Sequence, residues 1–348
     1  MGSKEQGQLF VWEWKSETYV MKQQGHYFDL NTVAYSPDGA YLATGGDDGK
    51  LKLWTTKNYL CFVTFTEHTS KITALQFIPK KGNAVLSASL DGTVRAYDLV
   101  KYRNFRTLTT PKPAQFSSLA IEGTSGDIVA AGALEPYEIY VWSLRTGQLL
   151  DVFSSHTGPI SAISFSPPNA MSDTGSVLAS ASWDMSVKIW DVFGRKGLLE
   201  TLQHSSEVVS CDFHPSTSNE LITSTLGGQI FLWDSEDGNI KSFMECKADL
   251  AGGRLQQDRN TANNSTKNKH FNSLTLSPSG EYAIGGGNGK NICLYDVKHK
   301  VLLKRFAVTQ NRSIDGVLHK LNSKNVKEGG VMQHELDELD SDLEEDAW

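Results

Sequence analysis

The chain has 348 residues, 39% of them hydrophobic, and a formal net charge of −7. Eight acidic side chains in residues 335–346 account for this charge, because the chain without them would carry +1. Net charge therefore does not indicate a nucleic-acid binder. No apolar run approaches the roughly 18 residues of a membrane span and no signal peptide is visible, so no membrane partner is predicted. Four cysteines without C-x-x-C spacing predict reduced core thiols.

A repeated pattern divides most of the chain. Each copy ends a strand with an aromatic residue, and these residues are Trp12, Trp54, Tyr97, Trp142, Trp190, Trp233 and Tyr295. Neighbouring copies are 42 to 48 residues apart, except that the last follows after 62 because a polar insertion of about residues 245–270 precedes it. Such a period, with four strands in each unit, is typical of a β-propeller.

The strands of the first complete repeat are predicted near Asn31–Tyr35, Tyr41–Gly45, Leu51–Trp54 and Cys61–Phe65. Before them, Gln8–Trp12 and Tyr19–Lys22 supply only a third and a fourth strand. The fold predicted is therefore an all-β propeller over residues 1–310, with six complete four-stranded blades and half of a seventh. Leu9 and Val11 are expected at the exposed edge of that half. A short helix or linker is predicted for 311–325, and a disordered acidic tail for 326–348.

A histidine, a serine or threonine, and a turn aspartate recur at fixed places in three repeats. The sets are His26, Thr44, Asp48 and Trp54; His68, Ser87 and Asp91 with Tyr97; and His156, Ser180, Asp184 and Trp190. These positions resemble those of WD-repeat proteins, and the resemblance implies a buried hydrogen-bond network within each of the three blades. The repeats ending at Trp142, Trp233 and Tyr295 depart from the pattern. We expect those blades to lack a complete network.

The same residue types could form a hydrolase triad. Their recurrence in three repeats, with an aromatic partner at fixed spacing, favours a structural role instead. The histidines occur one per blade, so no metal site is predicted, and no nucleotide-binding motif is present. Neither an enzyme nor a cofactor is therefore expected. A polar cluster at the central channel would point to a propeller enzyme, and the sequence leaves that alternative open.

Two basic regions could contact RNA or a partner protein. Lys101, Arg103 and Arg106 alternate with aromatic residues on a predicted outer strand, a combination that suits phosphate pairing and base stacking. A solvated strand edge explains the same residues. The predicted insertion adds a second basic set, which consists of Arg254, Arg259, Lys267 and Lys269.

Several stretches are more specific than the general repeat pattern, namely Leu9–Trp14, Tyr19–His26, Phe62–His68, Tyr102–Thr107, Gly147–Val152 and Leu303–Phe306. From about Gln8 to Leu321 the chain resembles the second propeller of a family of WD-repeat scaffolds in the small-subunit processome. That resemblance implies a non-enzymatic scaffold of the nucleus and nucleolus. It would join other propeller proteins on U3 small nucleolar RNA and pre-ribosomal RNA during rRNA processing. Members of that family are longer, so this chain is expected to be a fragment, an incomplete product or an isolated domain. Another WD-repeat adaptor, such as a ubiquitin-ligase substrate receptor, is the alternative.

Overall fold

The structure is a computed structural model that describes residues 7–13, 18–79, 82–167, 177–194, 197–217, 219–251, 269–289 and 291–307. Its first two strands, β1 (Gln8–Glu13) and β2 (Thr18–Gln24), form a two-stranded antiparallel sheet, called the half-blade below. The other six sheets each contain four antiparallel strands in chain order and are called blades 1 to 6. The prediction of six complete blades and half of another is confirmed.

The first three blades contain β3 (Leu30–Tyr35), β4 (Tyr41–Gly46), β5 (Leu51–Thr55) and β6 (Cys61–Phe65); β7 (Ile72–Phe77), β8 (Ala84–Ser89), β9 (Thr93–Asp98) and β10 (Arg103–Thr109); and β11 (Phe116–Ile121), β12 (Ile128–Ala133), β13 (Glu138–Ser143) and β14 (Leu149–Ser154). The last three contain β15 (Ile160–Phe165), β16 (Val177–Ser182), β17 (Ser186–Asp191) and β18 (Leu198–Gln203); β19 (Val208–Phe213), β20 (Glu220–Thr225), β21 (Gln229–Asp234) and β22 (Ile240–Glu245); and β23 (Phe271–Leu276), β24 (Tyr282–Gly287), β25 (Asn291–Asp296) and β26 (Val301–Ala307). One short helix, α1 (Lys247–Leu250), lies between blades 5 and 6.

A tight turn joins the first two strands of blade 1. In blade 1 the Ser36 hydroxyl donates to Asp38 at 2.5 Å, and the Gly39 amide donates to the Ser36 carbonyl at 2.9 Å. Gly39 has a φ of 69°, which glycine adopts without steric cost. The Tyr41 amide donates to the Ser36 hydroxyl at 2.9 Å, so the turn is also bonded to the start of β4. This local chemistry sets the register of the hairpin.

The hydrophobic core consists of layers between neighbouring sheets. The first strand of each blade contacts that of the next, from β3 through β7, β11, β15 and β19 to β23, so these strands surround the central channel. Between blades 3 and 4, for example, Ile139 and Val141 pack with Ile160, Leu178 and the ring of Trp190. Because each blade has apolar side chains on both faces, its middle strands read as almost continuously buried.

A second set of contacts joins the blades through irregular pairing. In each blade the register between the first two strands shifts by one residue, and the residue skipped by the pairing lies at the second position of the inner strand. In four blades this residue donates a hydrogen bond to the first carbonyl of the next inner strand: Asn31 to Ile72, Thr73 to Phe116, Ser117 to Ile160, and Ser161 to Val208. Blade 5 has Val209 there, which cannot donate.

Two expectations about individual residues were wrong. Leu9 is fully buried and packs with Leu30, Leu42 and Trp54, because the half-blade lies against blade 1 as another layer of the propeller. Cys61 is exposed, since it lies on the outermost strand of blade 1, which has one face in solvent.

The predicted helix or linker of 311–325 and the acidic tail lie outside the described residues. In the part of the chain that the structure describes, α1 is far too short to cross a bilayer, and no other helix reaches the length and hydropathy of a membrane span.

Candidate functional site

Blades 1 and 4 contain a four-residue hydrogen-bond network. In blade 4 the ring of His156 contacts Asp184 through Nδ1 and Ser180 through Nε2, both at 2.8 Å. The Trp190 indole donates to the Ser180 hydroxyl, also at 2.8 Å. Blade 1 repeats the arrangement: the ring of His26 contacts Asp48 at 2.9 Å and Thr44 at 2.8 Å, and the Trp54 indole donates to the Thr44 hydroxyl at 3.0 Å.

The direction of these hydrogen bonds follows from the donor inventory. A carboxylate only accepts, so the Nδ1 of His156 carries the proton that Asp184 receives. The Nε2 of a neutral ring then accepts from the Ser180 hydroxyl, whose oxygen accepts from the Trp190 indole. Every buried polar group in the network is satisfied, which links the turn between β16 and β17 to the interior of the blade.

Blade 2 contains the same network without the indole. His68 contacts Asp91 at 2.7 Å and Ser87 at 2.6 Å. Tyr97 takes the place of tryptophan, is fully buried, and lies with its ring 4.3 Å from that of Phe65 in blade 1. Here the aromatic residue contributes to packing between two blades.

The pKa values of these groups reflect two opposing effects. Burial raises the pKa of Asp91 and of Asp184, but hydrogen bonds from histidine and from the following Thr93 or Ser186 outweigh it, so both pKa values lie well below the ordinary range. For His26, burial lowers the pKa and outweighs the neighbouring Asp48 carboxylate. Asp91 and Asp184 are therefore charged at neutral pH, and His26 is held neutral.

The other three blades lack the complete network. In blade 5 Gly227 occupies the aspartate position, but His204 Nε2 still contacts the Thr223 hydroxyl at 2.8 Å. The Trp233 indole donates to that hydroxyl at 3.2 Å and to the Nε2 of His204 at 3.0 Å. Burial lowers the pKa of His204 to about 4. In blade 3 the Trp142 indole donates to the Thr109 carbonyl of blade 2 at 3.3 Å.

Blade 6 obtains its acidic partner from outside the repeat. The Tyr295 hydroxyl donates to Asp249 at 3.2 Å, and Asp249 lies on helix α1. The side-chain amide of Asn291 donates to the Leu250 carbonyl at 3.0 Å, which holds the same helix against β25. The beginning of the predicted insertion is therefore part of blade 6. Sequence reasoning missed this contact because Asp249 and Tyr295 are 46 residues apart.

The buried networks are poorly placed for catalysis. The side chains of His26, His68 and His156 are at most 1% exposed, and Ser180 is fully buried. No substrate could reach a nucleophile there without opening the blade. Among the described residues, no group of three or more His, Cys, Asp or Glu side chains could hold a metal ion.

An exposed aromatic and basic surface lies across the boundary of blades 1 and 2. The Phe62 ring on β6 lies 5.8 Å from the ring of Tyr102, in an edge-to-face arrangement, and 5.5 Å from that of Tyr41. Phe62 is 37% exposed and Tyr102 is 48% exposed. Lys101 and Arg103 flank Tyr102 and are exposed as well. We call Phe62, Lys101, Tyr102, Arg103 and Phe105 the basic-aromatic patch.

Two of the other predicted contact residues, Arg106 and Lys269, lie among the described residues. The Arg106 guanidinium donates from Nη2 to the Arg145 carbonyl of blade 3 at 2.8 Å, so Arg106 joins two blades. Lys269 is half-buried just before β23. Arg254, Arg259 and Lys267 lie outside the described residues. Phe62 was not among the predicted contact residues, because its proximity to Tyr102 depends on the packing of two blades.

The family model described as "WD domain, G-beta repeat" matches residues 17–55, 60–98, 147–191 and 196–234. The chain therefore contains WD repeats. The matched segments 17–55 and 147–191 contain the full buried networks of blades 1 and 4. The segment 196–234 contains β18 of blade 4 and the first three strands of blade 5.

Two relatives that match almost the whole of this chain share a name. The chain is 47% identical to "Periodic tryptophan protein 2" of Arabidopsis thaliana over 343 residues, which cover 99% of this chain and 37% of that protein. It is 47% identical to the Saccharomyces cerevisiae protein of that name over 331 residues, covering 95% of this chain and 35% of that protein. The chain therefore spans little more than a third of the length of these relatives.

A more distant relative has a different name. The "Ribosome biogenesis protein WDR12 homolog" of Nematostella vectensis is 26% identical over 270 residues, which cover 67% of this chain and 62% of that protein.

Proposed function

We propose that the chain is a non-enzymatic scaffold in ribosome biogenesis. It would assemble propeller proteins of the small-subunit processome on pre-ribosomal RNA and U3 small nucleolar RNA, in the nucleolus. Similarity over 99% of the chain to periodic tryptophan protein 2 supports this role, and so does the name of the WDR12 relative. The inaccessible His and Ser side chains of the networks support a rigid frame without catalysis.

The basic-aromatic patch carries the RNA part of the proposal. Exposed rings of Phe62, Tyr102 and Phe105 offer faces on which unpaired bases can stack, and Lys101 and Arg103 can pair with phosphates. Phe62 lies on β6 of blade 1, Lys101 and Tyr102 lie in the turn before β10 of blade 2, and Arg103 begins β10. One short single-stranded segment could therefore contact rings and cations together. The solvated-edge alternative predicts no preference for RNA at this surface.

Replacing Lys101 and Arg103 by glutamine tests the patch directly. A double Lys298→Gln and Lys300→Gln variant removes the same charge from an exposed turn of blade 6 and is the matched control. We expect the patch variant to crosslink less pre-ribosomal RNA at low salt. Its affinity for single-stranded RNA should depend less on salt, by about 0.7 in logarithmic slope for each lost phosphate contact. Equal RNA binding by the two double variants would refute an RNA contact at this patch.

Co-purification tests the broader role. A tagged chain should recover processome proteins and U3 small nucleolar RNA from cells. Recovery of a ubiquitin ligase, with no nucleolar RNA, would replace the scaffold proposal by the adaptor alternative. The patch variant in the same experiment shows whether RNA recovery depends on direct contact.

A further inference from the structure

A polar cavity of about 320 Å³ lies at one end of the central channel. Consecutive inner strands supply its lining: Gln76 from β7, Ala120 from β11, Ser164 from β15 and Asp212 from β19. These four residues occupy the same, fifth position of their strands, so the repeat itself brings them around one space. The cavity lies at the end of the channel where Pro79, Gly123 and Pro167 follow those strands.

Asp212 is the one charged side chain among the described residues that line the cavity. Its carboxylate accepts from the Ser164 hydroxyl at 3.2 Å, from the Leu276 amide at 3.4 Å and from the Thr275 hydroxyl at 3.5 Å. All three distances are longer than the usual 2.7–3.0 Å or so. Burial raises the pKa of Asp212, because these bonds compensate only in part for lost hydration.

Gln76 adds a second acceptor. Its Oε1 atom is buried and has no hydrogen-bond partner among the described residues. An unpartnered buried carbonyl and a weakly bonded carboxylate on one cavity both need donors. The ligand that suits them is a cation with several N–H groups.

We propose that this cavity binds the guanidinium group of an arginine side chain presented by a partner protein. Guanidinium has five donors in a planar fork and is weakly hydrated, which suits a carboxylate and a carbonyl on a partly apolar wall. Ile163, Phe165 and Phe213 line the remaining space and can pack against the aliphatic stem. A metal ion fits less well, because it would find a single carboxylate among the described lining residues.

The inference rests on the proposed scaffold role only for the existence of a partner. A peptide assay tests the cavity without any ribosome-assembly component, so its failure leaves the scaffold proposal untouched. The probe is a blocked peptide with one arginine flanked by glycines. Two comparison peptides carry citrulline, which is nearly isosteric but neutral, or lysine.

We expect the full chain to bind the arginine peptide at least about tenfold more tightly than either comparison peptide, as a lost charged hydrogen bond implies. Asp212→Asn should lose that preference, whereas Asp237→Asn, at an exposed turn of blade 5, should keep it. Asp212→Asn removes a buried charge, so its melting temperature should equal or exceed that of the parent chain. The pKa of Asp212, followed by NMR, should fall when the arginine peptide is added.

Three results would overturn the proposal. One is equal affinity for the arginine and citrulline peptides, and another is equal affinity for arginine and lysine. The third is unchanged arginine binding by a folded Asp212→Asn variant.

Discussion

Replacing Asp184 by alanine should destabilise the protein through the buried network of blade 4. The Asp184 carboxylate accepts four hydrogen bonds: from His156 Nδ1 at 2.8 Å, from the Thr157 amide at 3.1 Å, and from the Ser186 amide and hydroxyl at 3.0 and 2.7 Å. Alanine would leave the His156 Nδ1–H buried without an acceptor, which costs about 1–3 kcal/mol. Loss of the bonds from Thr157 and Ser186 brings the expected total to about 2–4 kcal/mol.

The pH at which this stability is measured follows from the Asp184 pKa. That pKa lies below its ordinary value of 3.8 in the folded protein, because the hydrogen bonds outweigh the effect of burial. The stabilisation is therefore fully present above pH 3.8 and is lost as the pH falls through the folded pKa. Urea unfolding at pH 7.5 thus reports the whole effect.

A double-mutant cycle separates the network from a general effect of truncation. In a His156→Leu background there is no Nδ1–H to leave unpaired, so Asp184→Ala should cost at least about 1 kcal/mol less than in the parent chain. Asp237→Ala, at an exposed turn, should change stability by no more than about 0.5 kcal/mol. Equal costs of Asp184→Ala in the two backgrounds would refute the reasoning.

Three further predictions concern protonation and contacts between blades. Burial lowers the pKa of His204 from 6.5 to about 4, so the unfolded chain binds a proton that the fold does not, and stability should fall by about 2 kcal/mol between pH 7 and 5 through this group. Urea midpoints of a His204→Gln variant should decline less over that range. Ser161→Ala should lose about 0.5–1.5 kcal/mol in urea unfolding, and Val209→Thr should gain up to about 1 kcal/mol by donating to the Phe271 carbonyl. Arg106→Met should lower the melting temperature and leave RNA crosslinking unchanged, because its guanidinium binds blade 3.

An exposed residue supplies a control. Ser154→Ala, on an exposed position of β14, should not alter the urea midpoint. A pH slope identical in the His204→Gln variant and the parent chain would contradict the role assigned to burial. A Val209→Thr variant that is less stable than the parent chain would contradict the role assigned to the second position of the inner strand.

The strand pattern and the blade count were readable from the sequence because both depend on local chemistry. Alternating and small apolar residues specify strands, and turns such as Ser36–Gly39 carry their own hydrogen bonds. The repetition of this pattern every 42 to 48 residues predicts the propeller fold, and the two strands before the first complete repeat predict the half-blade. The His, Ser or Thr, and Asp positions are visible for the same reason, since each set belongs to a single sheet.

Contacts between sheets were decided by the tertiary structure. Phe62 contacts Tyr102 because blades 1 and 2 pack side by side. Asp249 contacts Tyr295 because α1 packs against blade 6. The polar wall at Asp212 exists only when successive inner strands surround a channel. A repeat pattern specifies which face of a strand is apolar. It does not specify which side chain of the next sheet lies opposite, because that depends on the twist and separation of whole sheets.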